Sequence, residues 1–228
     1  MNLFILDKNP ERAAQAQCDK HVVKMIVESA QMLSTAHRML DGTLEKRLSS
    51  TGKTQVKYWK LDDNREDHLY KACHTGHPCT KWTMETHLNY QWHVVHFVAL
   101  CAEYSYRYGK KHKTMDLIPF LRNLPKNIPQ GGLTEFRLAM KSNPECIFED
   151  DPVKSYREFY KTKKDRFAMN WTKRPIPEWF VEKQPEVNEW EDGEYGNPEP
   201  EPKTKRKRKS KSKNESVTVN DGGEYASG

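Results

Sequence analysis

Between Pro10 and Leu40 the apolar residues Ala14, Cys18, Val22, Met25, Ile26, Leu33, Ala36 and Leu40 return at steps of three and four. That spacing stacks them along one stripe of an α-helix. Asn9-Pro10-Glu11 offers an N-cap with proline in the first turn, and Asp41-Gly42 offers a stop. The pattern predicts one helix over 10–40. A second long helix is expected from about Thr80 to Tyr108, with Tyr90, Val94, Phe97, Val98, Cys101 and Tyr104 inward and Gly109 ending it. A third begins at Asp151-Pro152 and carries Val153, Tyr156, Phe159, Tyr160 and Phe167 inward. Residues 117–150 hold four prolines and Gly131-Gly132 and read as a long irregular loop. Period-two alternation is nearly absent, with only Leu3 to Leu6 as a short candidate strand. The expected architecture is mainly α, a single-domain helical bundle over 1–180.

Beyond that bundle the composition changes. Residues 181–202 are acidic and proline-bearing, 203–213 form a block of eight basic residues, and 214–228 are small and polar. Such segments bury too little apolar area to offset the entropy of ordering, so 181–228 is expected to be a disordered tail, acidic then basic. The net charge of +6 conceals a division, because 29 of the 38 Lys and Arg and 21 of the 32 Asp and Glu fall in 1–180. The folded part is therefore the basic part, which favours a polyanionic partner, DNA first among them. The bland alternative is that the excess only keeps the chain soluble.

No run of about 18 apolar residues occurs, so no membrane partner is expected. Five cysteines, an odd number with no secretory signal at the start, fit reduced thiols and a cytoplasmic location. Phosphate-loop, dinucleotide and nucleophile-elbow patterns are missing, which excludes a nucleotide cofactor. The oligomeric state is left open.

Three constellations carry chemistry. Gln17, His21, Lys24, Glu28, Gln31, Thr35 and Arg38 alternate at steps of four and three, forming one polar line beside the apolar stripe and next to Lys20. In a partly dry cleft His21, Lys24 and Glu28 could shift one another's pKa towards neutrality and act as acid, base or nucleophile. On a solvated face they would be ordinary ion pairs. The segment Cys73 to Trp82 holds His77, Cys79 and Lys81. Cys18 and His21 with His77 and Cys79 would supply a two-Cys, two-His zinc site, or the segment is a turn capping the second helix, or Lys81 helps seat a phosphate. At the end of the second helix Arg107, Lys110, Lys111 and Lys113 interleave with Tyr104, Tyr106 and Tyr108, combining phosphate neutralisation with stacking surface. Arg38 is added to these as a nucleic-acid contact.

The order of these features resembles the pyrimidine-dimer DNA glycosylases of T-even phages. The parallel rests on Asn2-Leu3 at the start, the charged stripe Asp19, Lys20, His21 and Lys24, His77 leading into a long helix, and Ala102-Glu103 with Arg107-Tyr108-Gly109 at its end. The chain also looks like phage-encoded proteins that open with a similar Cys18-Asp19-Lys20-His21 segment, which would place it in a bacterial host's cytoplasm. The resemblance implies an all-α enzyme that displaces a base, attacks the sugar C1′ with an amine and cleaves by β-elimination. In that family the amine is the chain terminus freed of methionine, with a glutamate beside it. Here Met1 precedes the bulky Asn2, and His21 or Lys20 stands where the glutamate is expected. Retaining the chemistry then requires Met1, Lys20 or Lys24 as amine and Glu28 as carboxylate, with His77 an added polar contact. Two alternatives remain: a nucleic-acid-binding protein without catalysis, and a zinc-dependent nuclease or zinc-stabilised fold.

Overall fold

The computed structural model describes residues 2–49 and 51–181, so the expected tail from 182 onward lies outside the described residues. The architecture is mainly α. Seven α-helices are present among the described residues: α1 (Pro10–Gln15), α2 (Asp19–Asp41), α3 (Arg65–His68), α4 (Pro78–Glu85), α5 (His87–Tyr108), α6 (Ile118–Leu121) and α7 (Pro152–Lys161). One antiparallel hairpin, β1 (Thr43–Leu48) with β2 (Gln55–Lys60), accompanies them. The long helices α2 and α5 pack together, with α1 against α5 and α4 against both.

Two of the predicted helices are each broken in two, for identifiable reasons. In the first, the chain leaves helical geometry at Cys18 (ψ 163°), and the Asp19 N–H donates to Asn170 O at 2.8 Å. Buried Cys18 thus spends its backbone on a turn that lets α1 and α2 diverge around the core. In the second, Thr86 is extended (φ −146°, ψ 159°). Its Oγ1 caps Asn89 N at 3.1 Å and donates to Gly132 O at 2.9 Å, while Asn89 Nδ2 reaches Trp82 O and Thr134 Oγ1. A β-branched residue that bonds outside its own helix is a natural break. The caps act as expected, although α7 ends at Lys161 and leaves Phe167 beyond it, half-buried. Asn9 caps α1, Asp151 accepts from Lys154 N at 2.9 Å, and Gly109 closes α5 in the left-handed region at φ 64°.

Leu3 to Leu6 is no strand. It is a non-regular segment, buried throughout, that runs into the centre of the molecule. The hairpin, in contrast, was not anticipated, because its polar residues lie on both faces and hide the alternation. Residues 117–150 do form an irregular stretch, with α6 and a short 3-10 turn at Pro144–Cys146. Trp171, Trp179 and Phe180 close over α7 through ring contacts with each other and with Tyr160.

The hairpin is anchored by Arg38, which is 1% exposed. Its guanidinium donates to Trp59 O (3.0 Å), Glu66 O (2.9 Å), Leu69 O (2.9 Å) and Tyr70 O (2.7 Å), and pairs with Glu66 Oε2 at 2.6 Å. Tyr58 and the Leu61 N–H also donate to Glu66. Burial opposes ionisation of Glu66, but these donors win and hold its carboxyl at about 2. Arg38→Ala should cost about 3–5 kcal/mol in urea unfolding, since it leaves a carboxylate and several carbonyls unpaired. The contribution of Glu66 should be lost as pH falls from about 4.5 towards 2. A loss below about 1 kcal/mol in Arg38→Ala would show that the hairpin base is held by other means.

Candidate functional site

The polar line of α2 does not open onto one cleft. Gln17 is buried against His96, with Nε2 3.2 Å from its Nε2. His21 is 7% exposed, lies among the Phe4, Tyr160 and Phe167 rings, and shares a 2.7 Å hydrogen bond between Nδ1 and the Tyr160 hydroxyl. Burial, followed by the charges of Lys24 and Lys163, pushes His21 down to about 4. It is neutral at pH 7 and too weak a base to take a proton there, which corrects the acid/base role expected for it. Thr35 accepts from Cys73 N at 3.1 Å, and Arg38 is the hairpin anchor rather than a phosphate contact.

Midway along this line Lys24 and Glu28 remain near the surface, and there the opening segment arrives. Burial of Leu3, Phe4, Ile5 and Leu6 draws the chain's beginning onto α2. The Asn2 N–H donates to Glu28 Oε2 at 2.8 Å, and Lys24 Nζ lies 3.2 Å from Glu28 Oε1. The Glu28 side chain is 12% exposed, whereas Lys24 is 65% exposed. Asn2 Oδ1 in turn faces Cys79 Sγ at 3.8 Å, with the Tyr156 hydroxyl 3.7 Å from that sulfur. A carboxylate, an ammonium and a backbone donor are therefore assembled from two parts of the chain, α2 and the opening segment, with Asn2 26 residues from Glu28. Met1 lies outside the described residues.

His77 caps α4, its Nδ1 accepting from Cys79 N at 3.2 Å. Burial pushes the Cys79 thiol up to about 11, so it stays protonated. Cys18 N and His21 are both engaged with Tyr160, while Cys79 faces Tyr156, so the pairs imagined as a zinc site are held by different tyrosines. Among the described residues no group of three or more His, Cys, Asp or Glu side chains is placed to hold a metal ion.

The expected phosphate contacts divide. Arg107 is 3% exposed and bound to Glu103, Asp19 and the Gln15 carbonyl, so it braces the fold and does not reach solvent. Lys81, Lys110, Lys111 and Lys113 are exposed, Lys111 pairing with Asp116 at 2.9 Å. Lys20 is exposed beside the Phe167 ring. Lys163 is buried, with Nζ 3.4 Å from the Phe159 ring centroid. Burial and then neighbouring Arg166 lower its pKa. Only the aromatic residues around it could have signalled that. Among the described residues, the cavities beside Trp179, along α5 and under Phe120 are lined by residues other than His21, Lys24 and Glu28. No protein-family model, characterised protein or solved structure matches the chain.

The buried histidines set a pH dependence. Burial holds His21 and His37 at about 4, His96 at about 3, and His93 well below its ordinary value. Each is neutral when folded and gains a proton near pH 6.5 when unfolded. Their stabilisation is complete above that pH and is lost as pH falls towards 4. Urea midpoints should decline steadily from pH 6.5 to 4; a flat profile there would mean the rings are solvated.

Proposed function

We propose that the cluster of Asn2, Lys24 and Glu28 is the reaction centre of a DNA-acting enzyme of glycosylase or glycosylase/lyase type, working on a damaged or modified pyrimidine. The observation that carries this is the 2.8 Å bond from Asn2 N–H to a largely buried Glu28 that also pairs with Lys24. A carboxylate so placed adjoins the Lys24 ammonium, one of the amines that the chemistry could use.

In the proposed reaction the neutral amine nitrogen bonds to C1′ of a displaced nucleotide as the C1′–N bond to the base breaks, and the base leaves with a proton. Opening of the sugar gives an imine between C1′ and the amine. Glu28 then takes the C2′ proton, and the bond from C3′ to its phosphate oxygen breaks. Lys20, exposed beside the Phe167 ring, supplies positive charge for a flanking phosphate. The cytoplasm of a cell that holds DNA is the compartment such an enzyme needs.

A second reading, nucleic-acid binding without turnover, draws on the exposed lysines 20, 81, 110, 111 and 113, which offer phosphate contacts without any chemistry. Borohydride trapping on duplexes carrying an abasic site or a pyrimidine dimer separates the two. The glycosylase/lyase reading expects a covalent adduct that maps to the peptide holding Asn2 or to the one holding Lys24. Glu28→Gln should reduce it by about 100-fold with duplex affinity retained. No adduct on either substrate, or an adduct mapping elsewhere, removes this mechanism.

A further inference from the structure

The hairpin is the part of the fold that the proposed reaction does not use. It carries five basic residues (Lys46, Arg47, Lys53, Lys57, Lys60) and a single acidic one, Glu45. Its register pairs Leu44 with Trp59, Lys46 with Lys57 and Leu48 with Gln55, so these six side chains share one face. The opposite face meets the body of the protein at Tyr58, while Thr43, Val56 and Lys60 on it are exposed. There Arg47 lies 3.7 Å from the Tyr58 ring centroid and pairs with Glu45 at 2.9 Å, and Tyr58 bonds to Glu66 beneath it.

The outward face has two properties that an inert surface avoids. Lys46 and Lys57 stand directly opposite each other, a cross-strand pair of like charges that destabilises the ribbon unless an anion lies between them. Lysine on an edge can serve merely to discourage strand pairing. That account does not cover the flanking leucines, for Leu44 is 53% and Leu48 67% exposed beside the lysine pair. Apolar tips either side of a cationic centre match a nucleic-acid backbone, whose charged phosphates alternate with apolar sugar surface. A two-stranded ribbon also has the width to enter a groove of duplex DNA.

We infer that the Leu44, Lys46, Leu48, Gln55, Lys57 and Trp59 face is a duplex-DNA-binding wing, with Lys46 and Lys57 straddling backbone phosphates and Leu48 lying against sugar or base edges. The choice of DNA as the polyanion rests on the function proposed above. The wing is rigid at its base, where Arg38 holds Trp59 O, and where a Cβ on Gly42 would stand 2.5 Å from Arg38 O. Its tip turns through Gly52 at φ 70°. It would hold undamaged and damaged duplex alike and so raise the time the reaction centre spends on DNA.

The test uses the full chain, a short undamaged duplex as probe, and affinity measured across a salt series. Lys46→Gln/Lys57→Gln should weaken binding and make the plot of log affinity against log salt shallower by about 2, close to one unit per lost phosphate contact. Its melting temperature should hold or rise, because the facing charges are gone. Leu48→Ser, at an exposed position, should weaken binding with the slope unchanged, and it keeps the test open should the double variant misfold. An unchanged slope and affinity in both variants overturns the wing, as does a change confined to sedimentation, which would make this face a contact between copies of the chain. Trapping with unaltered protein is run alongside. Loss of slope in the variant without any adduct in the parent leaves the wing and removes the reaction; an adduct with an unchanged slope does the reverse.

Discussion

A polar side chain that leaves water on folding must find a partner, and α2 carries a row of such side chains along the edge of its apolar stripe. The rest of the chain is brought to that row. His21 meets α7 at Tyr160, Glu28 receives the opening segment at Asn2, Thr35 receives the loop at Cys73, and Arg38 gathers four carbonyls from residues 59–70. Each contact joins α2 to a segment remote in sequence. The row acts as an organiser of the fold, and from Lys24 through Glu28 to Gln31 it comes out towards solvent.

This division explains how much could be seen from residues alone. The spacing of Val22, Met25, Ile26 and Leu33 and the caps at Asn9, Asp151 and Gly109 are local signals, and all of them mark elements that exist. The breaks at Cys18 and Thr86 depend on distant acceptors, Asn170 O and Gly132 O, which no local window contains. The hairpin escaped notice for a related reason. One face holds Glu45, Arg47 and Tyr58, joined through an ion pair and a ring contact rather than through apolar packing, so alternation in hydropathy never develops.

The candidate site was legible as a list of residues and not as a place. Alternating steps of four and three put His21, Lys24 and Glu28 in line, but a helix gives equal spacing to residues that end in the core and residues that end in water. Neighbouring elements decide which is which. Phe4, Phe167 and Tyr160 enclose His21, and Glu103 and Asp19 claim Arg107, leaving Lys24, Glu28 and the lysines at 81, 110, 111 and 113 with access to a ligand. The role of Asn2 could not have been read, because burial of Leu3 to Leu6 is what carries it to Glu28.

The central claim is that chemistry occurs where the opening segment meets Glu28. A crystal structure of the full chain with a duplex containing a stable abasic-site analogue examines that point most directly. The account predicts the analogue's sugar turned out of the helix with C1′ facing the Asn2 and Glu28 pair. A sugar still stacked within the duplex, or one lodged in the apolar cavity along α5 beside Val94 and Val98, would contradict it.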